Sequence, residues 1–256
     1  MSRWKRIYYK LFCQKDRMEE YEHILQETLR AGYRVLSIEE WVQQSFPADR
    51  VLILRHDVDI DAKGAERMFQ VERKWQVHAT YYFRHMTMKT ALMKQMLRED
   101  FEVGLHYETL AVEMRRVGMK KREDVSSEMI EMCQRKLAKE VASFRKQIGT
   151  MVSLCSHGAA WNRKFEIPNY LLVDEAFRKN NQIAFEAYDQ AIRSRITNYI
   201  SDASVVVGKI WRYGISPLEA IEKEAPVILL LTHPEHWNHS FCSNIRKLWL
   251  SFWDRN

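Results

Sequence analysis

The sequence predicts an α/β protein built from parallel β/α units. Short apolar runs rich in β-branched and aromatic residues recur along the chain, and longer segments with helical periodicity lie between them. Strand and helix patterns that alternate in this way are typical of a parallel sheet with helical crossovers. About seven such units fit a closed or nearly closed barrel better than a six-stranded open sheet, although the pattern alone does not separate the two.

The strand candidates are continuous apolar runs, as expected for parallel strands that are buried on both faces. They are Val51–Arg55, Ala79–Phe83, Phe101–Leu105, Met151–Cys155 and Val227–Leu231, with weaker candidates at Ile183–Ala187 and Asn198–Ile200. Apolar residues at helical spacing predict helices over 18–31, 61–76, 123–148 and 167–180. No internal repeat or strong linker interrupts this series. The sequence therefore predicts one domain over 1–256, with short basic-aromatic extensions at 1–17 and 237–256.

The composition excludes several classes of protein. With 256 residues, of which 46% are apolar and 12% aromatic, the chain can bury a sizeable core and is not a disordered chain. The net charge of 40 − 34 = +6 is only mildly basic, so nucleic acid is not an expected partner. The four cysteines lack CxxC or zinc-finger spacing and are interpreted as reduced thiols. The sequence shows no secretory signal and no apolar stretch long enough to span a membrane, which favours the cytoplasm.

Polar residues with catalytic side chains follow four of the predicted strands. These segments are His56-Asp57-Val58-Asp59, His106-Tyr107-Glu108, Ser156-His157-Gly158 and Thr232-His233-Pro234-Glu235-His236. Because the carboxyl ends of parallel strands meet on one face, where active sites are built, we expect these residues to converge. The glycine-rich nucleotide-binding motifs, the GxSxG nucleophile motif and the HExxH zinc motif do not occur in the sequence.

The spacing of Asp57 and Asp59 indicates a metal site. Residues i and i+2 of an extended segment point to the same side, and a cation relieves the repulsion between two neighbouring carboxylates. One Asp with two His is a familiar ligand set for a catalytic divalent metal, and Asp59, His106 and His157 would supply it, with zinc as the first choice. Asp57 is then available as general base, and His233 as the acid toward the leaving group.

These motifs resemble the polysaccharide deacetylase superfamily, also known as the NodB-homology or carbohydrate esterase family 4 (CE4) superfamily. HDVD after the first strand, EVGLH at the third and LTH after the last carry the resemblance, which covers residues 30–236. With GLHYE and SHG, the chain looks closest to the divergent branch found in surface-polysaccharide and O-antigen gene clusters. The resemblance implies a distorted (β/α)7-type barrel, a divalent metal, often zinc, and hydrolysis of the amide of N-acetylated sugars.

The resemblance also assigns roles to individual residues. It matches Asp57 to the catalytic base, Asp59 to a metal ligand, His106 to the first His of the His-Ser-x-x-His motif and His233 to the His of the last motif. Leu110 stands where the family has its second metal-binding His, and the Arg-Pro-Tyr motif is absent, so His157 is expected to replace the missing ligand. Two alternatives stay open: a metal-independent hydrolase of cyclic or linear amides, and a non-catalytic, membrane-associated relative.

Four further residues are predicted to bind the substrate: Glu108, Trp161, Asn162 and Asp202. Each has a structural alternative, since Trp161 could be a core residue and Asp202 could orient a catalytic partner or cap a helix. The expected substrate is an N-acetylated sugar precursor linked to a nucleotide or a lipid. Basic and aromatic residues interleave in both extensions, which permits peripheral contact with the inner face of the membrane.

Overall fold

The computed structural model describes residues 15–203 and 211–240, together with Tyr8, Phe12, 244–245 and 247–249. Most of the two basic-aromatic extensions lies outside the described residues, as do Cys13 and Cys242. Cys133 and Cys155 are buried thiols. The single domain with extensions at 1–17 and 237–256 therefore stays a prediction.

Strands and helices alternate along the described chain, as the sequence predicts. The strands are β1 (Arg34–Leu36), β2 (Val51–Val58), β3 (Thr80–Phe83), β4 (Glu102–Tyr107), β5 (Ser153–Ser156), β6 (Phe185–Glu186), β7 (Asn198–Ser201) and β8 (Val227–Thr232). The α-helices are α1 (Met18–Arg30), α2 (Ile38–Gln43), α3 (Ala62–Lys74), α4 (Thr90–Arg98), α5 (Thr109–Arg116), α6 (Ser127–Ile148), α7 (Ala160–Phe165), α8 (Glu175–Asn181), α9 (Gln190–Arg193) and α10 (Pro217–Glu222). Single 3-10 turns occur at His85–Thr87, Arg122–Asp124, Asn169–Leu172 and Pro234–His236.

The sheet has the strand order of a β/α barrel. The order is β6-β5-β4-β3-β2-β8-β7, and β1 pairs with β2 beside this path. From β2 to β6 each strand neighbours the next one along the chain, and β8 returns to lie beside β2, as in a (β/α)7-type barrel. The β1–β2, β2–β8, β7–β8, β4–β5 and β5–β6 pairs are all parallel. The predicted α/β class and distorted barrel are confirmed.

The described residues pack as two compact units, one comprising the chain up to Tyr81 and again from Arg195, and the other Tyr82–Ser194. In the first unit, every residue of β2 and β8 is buried, which accounts for the two most apolar runs of the sequence. In the second unit, α6 buries one stripe of residues at helical spacing: Cys133, Leu137, Val141, Phe144 and Ile148. Each unit therefore buries its own apolar residues.

Some element boundaries differ from the sequence prediction. The single helix expected over 167–180 is wrong: the segment forms the turn Asn169–Leu172 and then α8. Asp174 separates them, because its side chain accepts a hydrogen bond from the backbone N–H of Phe177 at 2.7 Å and caps α8. Among the described residues, none of the helices combines the length and the hydropathy that a membrane span requires.

Candidate active site

In the first unit, the carboxyl ends of three neighbouring strands bring predicted site residues together. His56 on β2 lies opposite Thr232 on β8, and Ser201 on β7 lies opposite Leu231 on β8. Asp57, Asp202 and His233 each come directly after one of these paired residues. They therefore meet at one edge of the sheet, as expected for parallel strands.

Asp202 and His233 form a tight hydrogen-bonded pair. His233 Nδ1 donates to Asp202 Oδ1 at 2.6 Å, and the backbone N–H of His233 donates to Asp202 Oδ2 at 2.7 Å. Trp237 Nε1 also donates to Asp202 Oδ2, at 2.8 Å. With three donors, the fully buried carboxylate fixes the His233 ring and directs Nε2 away from Asp202.

The charges around this pair favour a protonated imidazole. Burial acts to lower the pKa of His233, but the Asp202 carboxylate, its hydrogen bond and the nearby Asp59 outweigh burial and raise the pKa to about 10. Burial acts to raise the pKa of Asp202, and the charges of His236 and His233 bring it far below its ordinary value instead. The pair thus consists of an imidazolium and a carboxylate at neutral pH.

His236 is a second imidazole on the same carboxylate. Its Nδ1 lies 3.2 Å from Asp202 Oδ2, and its ring centroid is 5.3 Å from that of His233. The donor atoms of Asp202, His233 and His236 all lie within 4.8 Å of one another, as the ligands of a metal would. However, two ligands of a tetrahedral ion stand roughly 3.3 Å apart. The distance of 2.6 Å between His233 Nδ1 and Asp202 Oδ1 instead indicates a hydrogen bond between the two side chains.

Asp57 is held by an arginine from its own strand. Arg55 donates from Nε to Asp57 Oδ1 at 2.9 Å and from Nη2 to Asp57 Oδ2 at 2.8 Å, and both side chains are buried. Residues i and i+2 share one face of β2, which makes this two-pronged contact possible. The carboxylate is therefore fixed in orientation, with further lone pairs on each oxygen.

Glu235 adds a carboxyl group in the turn that follows His233. Its Oε2 is buried and has no hydrogen-bond partner among the described residues. Burial and the charge of Asp59 raise the pKa of Glu235 to about 7, although His236 and His233 act to lower it. This residue lies in a sequence motif that we identified, but its position in a 3-10 turn gave no periodic signal of its orientation.

The turn that carries Glu235 and His236 is packed against the start of α3. A Cβ atom at Gly64 would lie 2.8 Å from Asp61 Oδ2 and 2.9 Å from the carbonyl oxygen of Pro234. Glycine is therefore needed for this close approach. Asp61 caps α3 by accepting from the backbone N–H of Gly64 at 3.0 Å, and it also accepts from Asn238 Nδ2 at 2.9 Å.

A fully buried polar network lies next to the site residues in the first unit. Tyr21 and Tyr81 donate to the two oxygens of Glu72 at 2.5 Å and 2.6 Å. His56 Nε2 lies 2.8 Å from Glu72 Oε1, and its Nδ1 lies 2.6 Å from Thr232 Oγ1. Burial and the Glu72 charge raise the pKa values of both tyrosines. These contacts give His56 a structural role in the interior of the first unit.

In the second unit, His106 lies on β4 and His157 directly follows the adjacent strand β5. His106 is opposite Cys155 in the β4–β5 pair, and the two imidazole centroids are 5.1 Å apart with an interplanar angle of 75°. His106 Nδ1 donates to the carbonyl oxygen of Cys155 at 3.0 Å. Because a carbonyl only accepts, the lone pair of His106 is on Nε2, as a metal-ligating imidazole requires.

Glu108 orients His157 in the same manner. His157 Nδ1 lies 3.2 Å from Glu108 Oε2, and Arg84 Nη2 donates to Glu108 Oε1 at 2.6 Å. Burial acts to raise the pKa of Glu108, but the hydrogen bond from His157 and the charge of Arg84 lower it to about 2. The carboxylate therefore accepts a hydrogen bond from Nδ1–H of His157, which leaves Nε2 as the nitrogen with a lone pair.

The remaining predicted substrate-binding residues, Trp161 and Asn162, lie on α7, which follows β5. Asn162 accepts from the backbone N–H of Ala159 at 3.0 Å and donates to the carbonyl oxygen of Ile167 at 2.8 Å, so it ties together the segments on either side of α7. Trp161 is half-buried, and Lys164 Nζ lies 4.9 Å from its ring centroid. Sugar binding by these two residues, and by Glu108 and Asp202, stays a prediction.

The fold of this chain is similar to those of several solved structures. No family model matches the sequence, and no curated protein matches it. A CE4 family pseudoenzyme from Bacillus anthracis is similar at 15% identity and a TM-score of 0.43, over 80% of this chain and 61% of that chain. The peptidoglycan deacetylase PdaC from Bacillus subtilis is similar at 12% identity and a TM-score of 0.42, over 81% and 86% of the two chains.

A third similar structure is the Xyl-CE4 domain of a multidomain xylanase from a termite hindgut metagenome, at 9% identity and a TM-score of 0.38, over 81% of this chain and 84% of that domain. The match spans less than two thirds of the length of the pseudoenzyme structures. The CE4 family named for the pseudoenzyme and xylanase structures is also the one that the strand-end motifs of this chain resemble. The surface-polysaccharide branch stays a prediction.

Proposed function

We propose that this protein is a metal-dependent hydrolase that removes an N-acetyl group from a sugar in a surface-polysaccharide precursor. The observation that carries the proposal is that a carboxylate, Asp57, and an imidazolium, His233, each directly follow a paired residue of the neighbouring strands β2 and β8. Amide hydrolysis needs a base to deprotonate the attacking water and an acid to protonate the departing amine. Asp57 is suited to the first need as a carboxylate held by Arg55, and His233 to the second because its raised pKa keeps it protonated at neutral pH.

The residues proposed as metal ligands are Asp59, His106 and His157. The donor set fits a divalent ion, zinc first, because both imidazoles have Nδ1 engaged by an oxygen acceptor and so present Nε2 for ligation. A bound divalent ion would supply positive charge that polarises the amide carbonyl and makes water easier to deprotonate.

The remaining chemistry belongs to side chains of this chain. Asp57, held by Arg55, accepts a proton from water on its carboxylate group. His233 gives its Nε2 proton to the nitrogen of the leaving sugar amine, while Asp202 stabilises the imidazolium before the transfer. The acetyl group leaves as acetate and the sugar is left with a free amine.

The protein would work in the cytoplasm, or peripherally on the inner face of the membrane, on a nucleotide- or lipid-linked precursor.

The experiment that tests the proposed function measures the acetate that the purified protein releases from N-acetylated sugar nucleotides. Asp57→Asn and His233→Gln should each reduce kcat by about 10²- to 10⁴-fold. Asp49→Asn and His23→Gln, at exposed positions, are matched controls that should keep wild-type turnover. Unchanged turnover in Asp57→Asn would show that the base is another residue.

One observation favours a second candidate, a metal-independent amide hydrolase. Leu110 stands where the resemblance expects a metal-binding His, and it is fully buried on α5. The acid–base pair Asp57 and His233 lies entirely within the first unit and does not itself need an ion. Acetate release, or hydrolysis of a cyclic amide, that a chelator leaves unchanged would favour this candidate.

A further inference from the structure

The backbone of Glu235 is held in place by hydrogen bonds, whereas one oxygen of its carboxyl group has no hydrogen-bond partner among the described residues. Lys247 Nζ donates to the carbonyl oxygen of Glu235 at 3.0 Å, and the backbone N–H of His236 donates to the carbonyl oxygen of His233 at 2.8 Å, closing the turn. Yet Glu235 Oε2 is shielded from solvent and has no hydrogen-bond partner among the described residues. A polar atom buried in this way is costly, and such atoms in native proteins call for an explanation.

The surroundings of Glu235 identify the kind of ligand that would satisfy it. Glu235 lies in the 3-10 turn Pro234–His236, which begins directly after the proposed acid His233. The charges of Asp59, His236 and His233 act on its carboxyl group. A second anion there would be repelled by Asp59, and an apolar group would leave Oε2 without a partner. A neutral hydrogen-bond donor, such as a sugar hydroxyl, meets both conditions.

We propose that Glu235 is a substrate-positioning residue that accepts a hydrogen bond from a hydroxyl group of the N-acetylated sugar, close to the acetamido group. This inference rests on the proposed function, because the sugar is the substrate which that function assigns. The contact would hold the amide nitrogen near His233, and it would make the enzyme discriminate between sugars that carry this hydroxyl and sugars that lack it.

The test compares UDP-N-acetylglucosamine with its monodeoxy analogues, on wild type, Glu235→Ala and Glu235→Gln. Wild type should lose about 10- to 100-fold in kcat/KM with the analogue that lacks the contacted hydroxyl, as for a hydrogen bond to a charged group. Glu235→Ala should lose a similar factor with the complete sugar, mainly through KM, and should no longer distinguish the two sugars. Glu235→Gln keeps an acceptor oxygen and should retain part of the discrimination. Glu222→Gln, at an exposed position, should behave as wild type.

Binding constants for the same sugars, measured by calorimetry, separate this inference from the proposed function. If wild type binds the sugars but releases no acetate, and Glu235→Ala alone loses the discrimination, the deacetylase proposal fails and the role of Glu235 stands. If wild type releases acetate and Glu235→Ala discriminates as wild type does, the role of Glu235 is refuted and the deacetylase proposal stands. If wild type neither binds nor hydrolyses any of these sugars, both are refuted.

Discussion

Arg55 donates two hydrogen bonds to Asp57, two residues further along the same buried strand. The contact fixes the proposed base and places a positive charge beside it in the interior. A buried ion pair of this kind is strongly destabilised when only one partner is removed. The catalytic role proposed for Asp57 and the stability of β2 are therefore linked through Arg55.

Replacing Arg55 by lysine keeps the charge but loses the planar, two-pronged contact. We expect Arg55→Lys to fold and to lose about tenfold or more in kcat, because the carboxylate is no longer held in one orientation. Steady-state kinetics together with a thermal melt measure both effects. Arg34→Lys, at an exposed position of β1, is the matched control. A variant with wild-type kcat would show that Arg55 does not position the base.

Removing the Asp202 carboxylate should change the pH dependence of turnover. Because the pKa of His233 is raised to about 10, the acid form is present at neutral pH and is lost only as pH rises through that value. In Asp202→Asn the alkaline limb of kcat should move toward the ordinary imidazole range, near 6.5. An unshifted alkaline limb would assign it to a group other than His233.

The raised pKa of His233 also predicts how the free energy of unfolding depends on pH. A group whose folded pKa is raised contributes stability below its unfolded pKa and loses that contribution as pH rises through the folded value. The contribution of His233 should therefore decline between pH 6.5 and about 10. Urea unfolding across this range should show a smaller decline for Asp202→Asn than for wild type, and equal declines would contradict the pairing.

Glu108 should tune metal affinity through His157 without being a ligand. In Glu108→Gln the acceptor for His157 Nδ1 loses its charge, and second-sphere changes of this kind cost about 10- to 100-fold in metal affinity. Competition with a metal-binding dye measures the change. Glu123→Gln, in an exposed segment of the same unit, is the control. Unchanged affinity would argue against His157 as a ligand.

The buried polar network around Glu72 predicts that removal of this carboxylate strongly destabilises the folded protein. Glu72→Ala would leave the hydroxyl groups of Tyr21 and Tyr81 without their acceptor in the interior, at about 1–3 kcal/mol for each unsatisfied group. The free energy of unfolding, measured with urea, should fall accordingly. Glu66→Gln, exposed on the same helix, should leave it nearly unchanged. A small loss in Glu72→Ala would show that water replaces the carboxylate.

Hydrophobic pattern made much of the fold predictable. The segments 51–54 of β2 and 227–231 of β8 are apolar throughout, and the stripe from Cys133 to Ile148 has a helical period, so strands and helices could both be recognised from local pattern. β1 was missed because three residues are too short for any period to show. The segment 167–180 has an apolar pattern, but the capping side chain of Asp174 starts a new helix within it.

The candidate site was predictable in its residue types and only partly in its contacts. Residues that follow parallel strands meet at one edge of the sheet. The sequence alone therefore predicts that Asp57 and His233 lie at the same edge. The Arg55–Asp57 contact is predictable in principle, because residues i and i+2 share a face of a strand. The sequence prediction instead treats Arg55 only as the last residue of an apolar run. The contact of Glu72 with His56 depends on how α3 packs against β2, and no local pattern encodes it.

The central claim is tested most directly by acetate release from N-acetylated sugar nucleotides before and after chelation. We predict that the purified protein releases acetate, that a chelator abolishes the release, and that added zinc or another divalent ion restores it. Activity that the chelator leaves unchanged would contradict the metal-dependent mechanism. Wild-type protein loaded with divalent ion that releases no acetate from any N-acetylated sugar would contradict the deacetylase proposal itself.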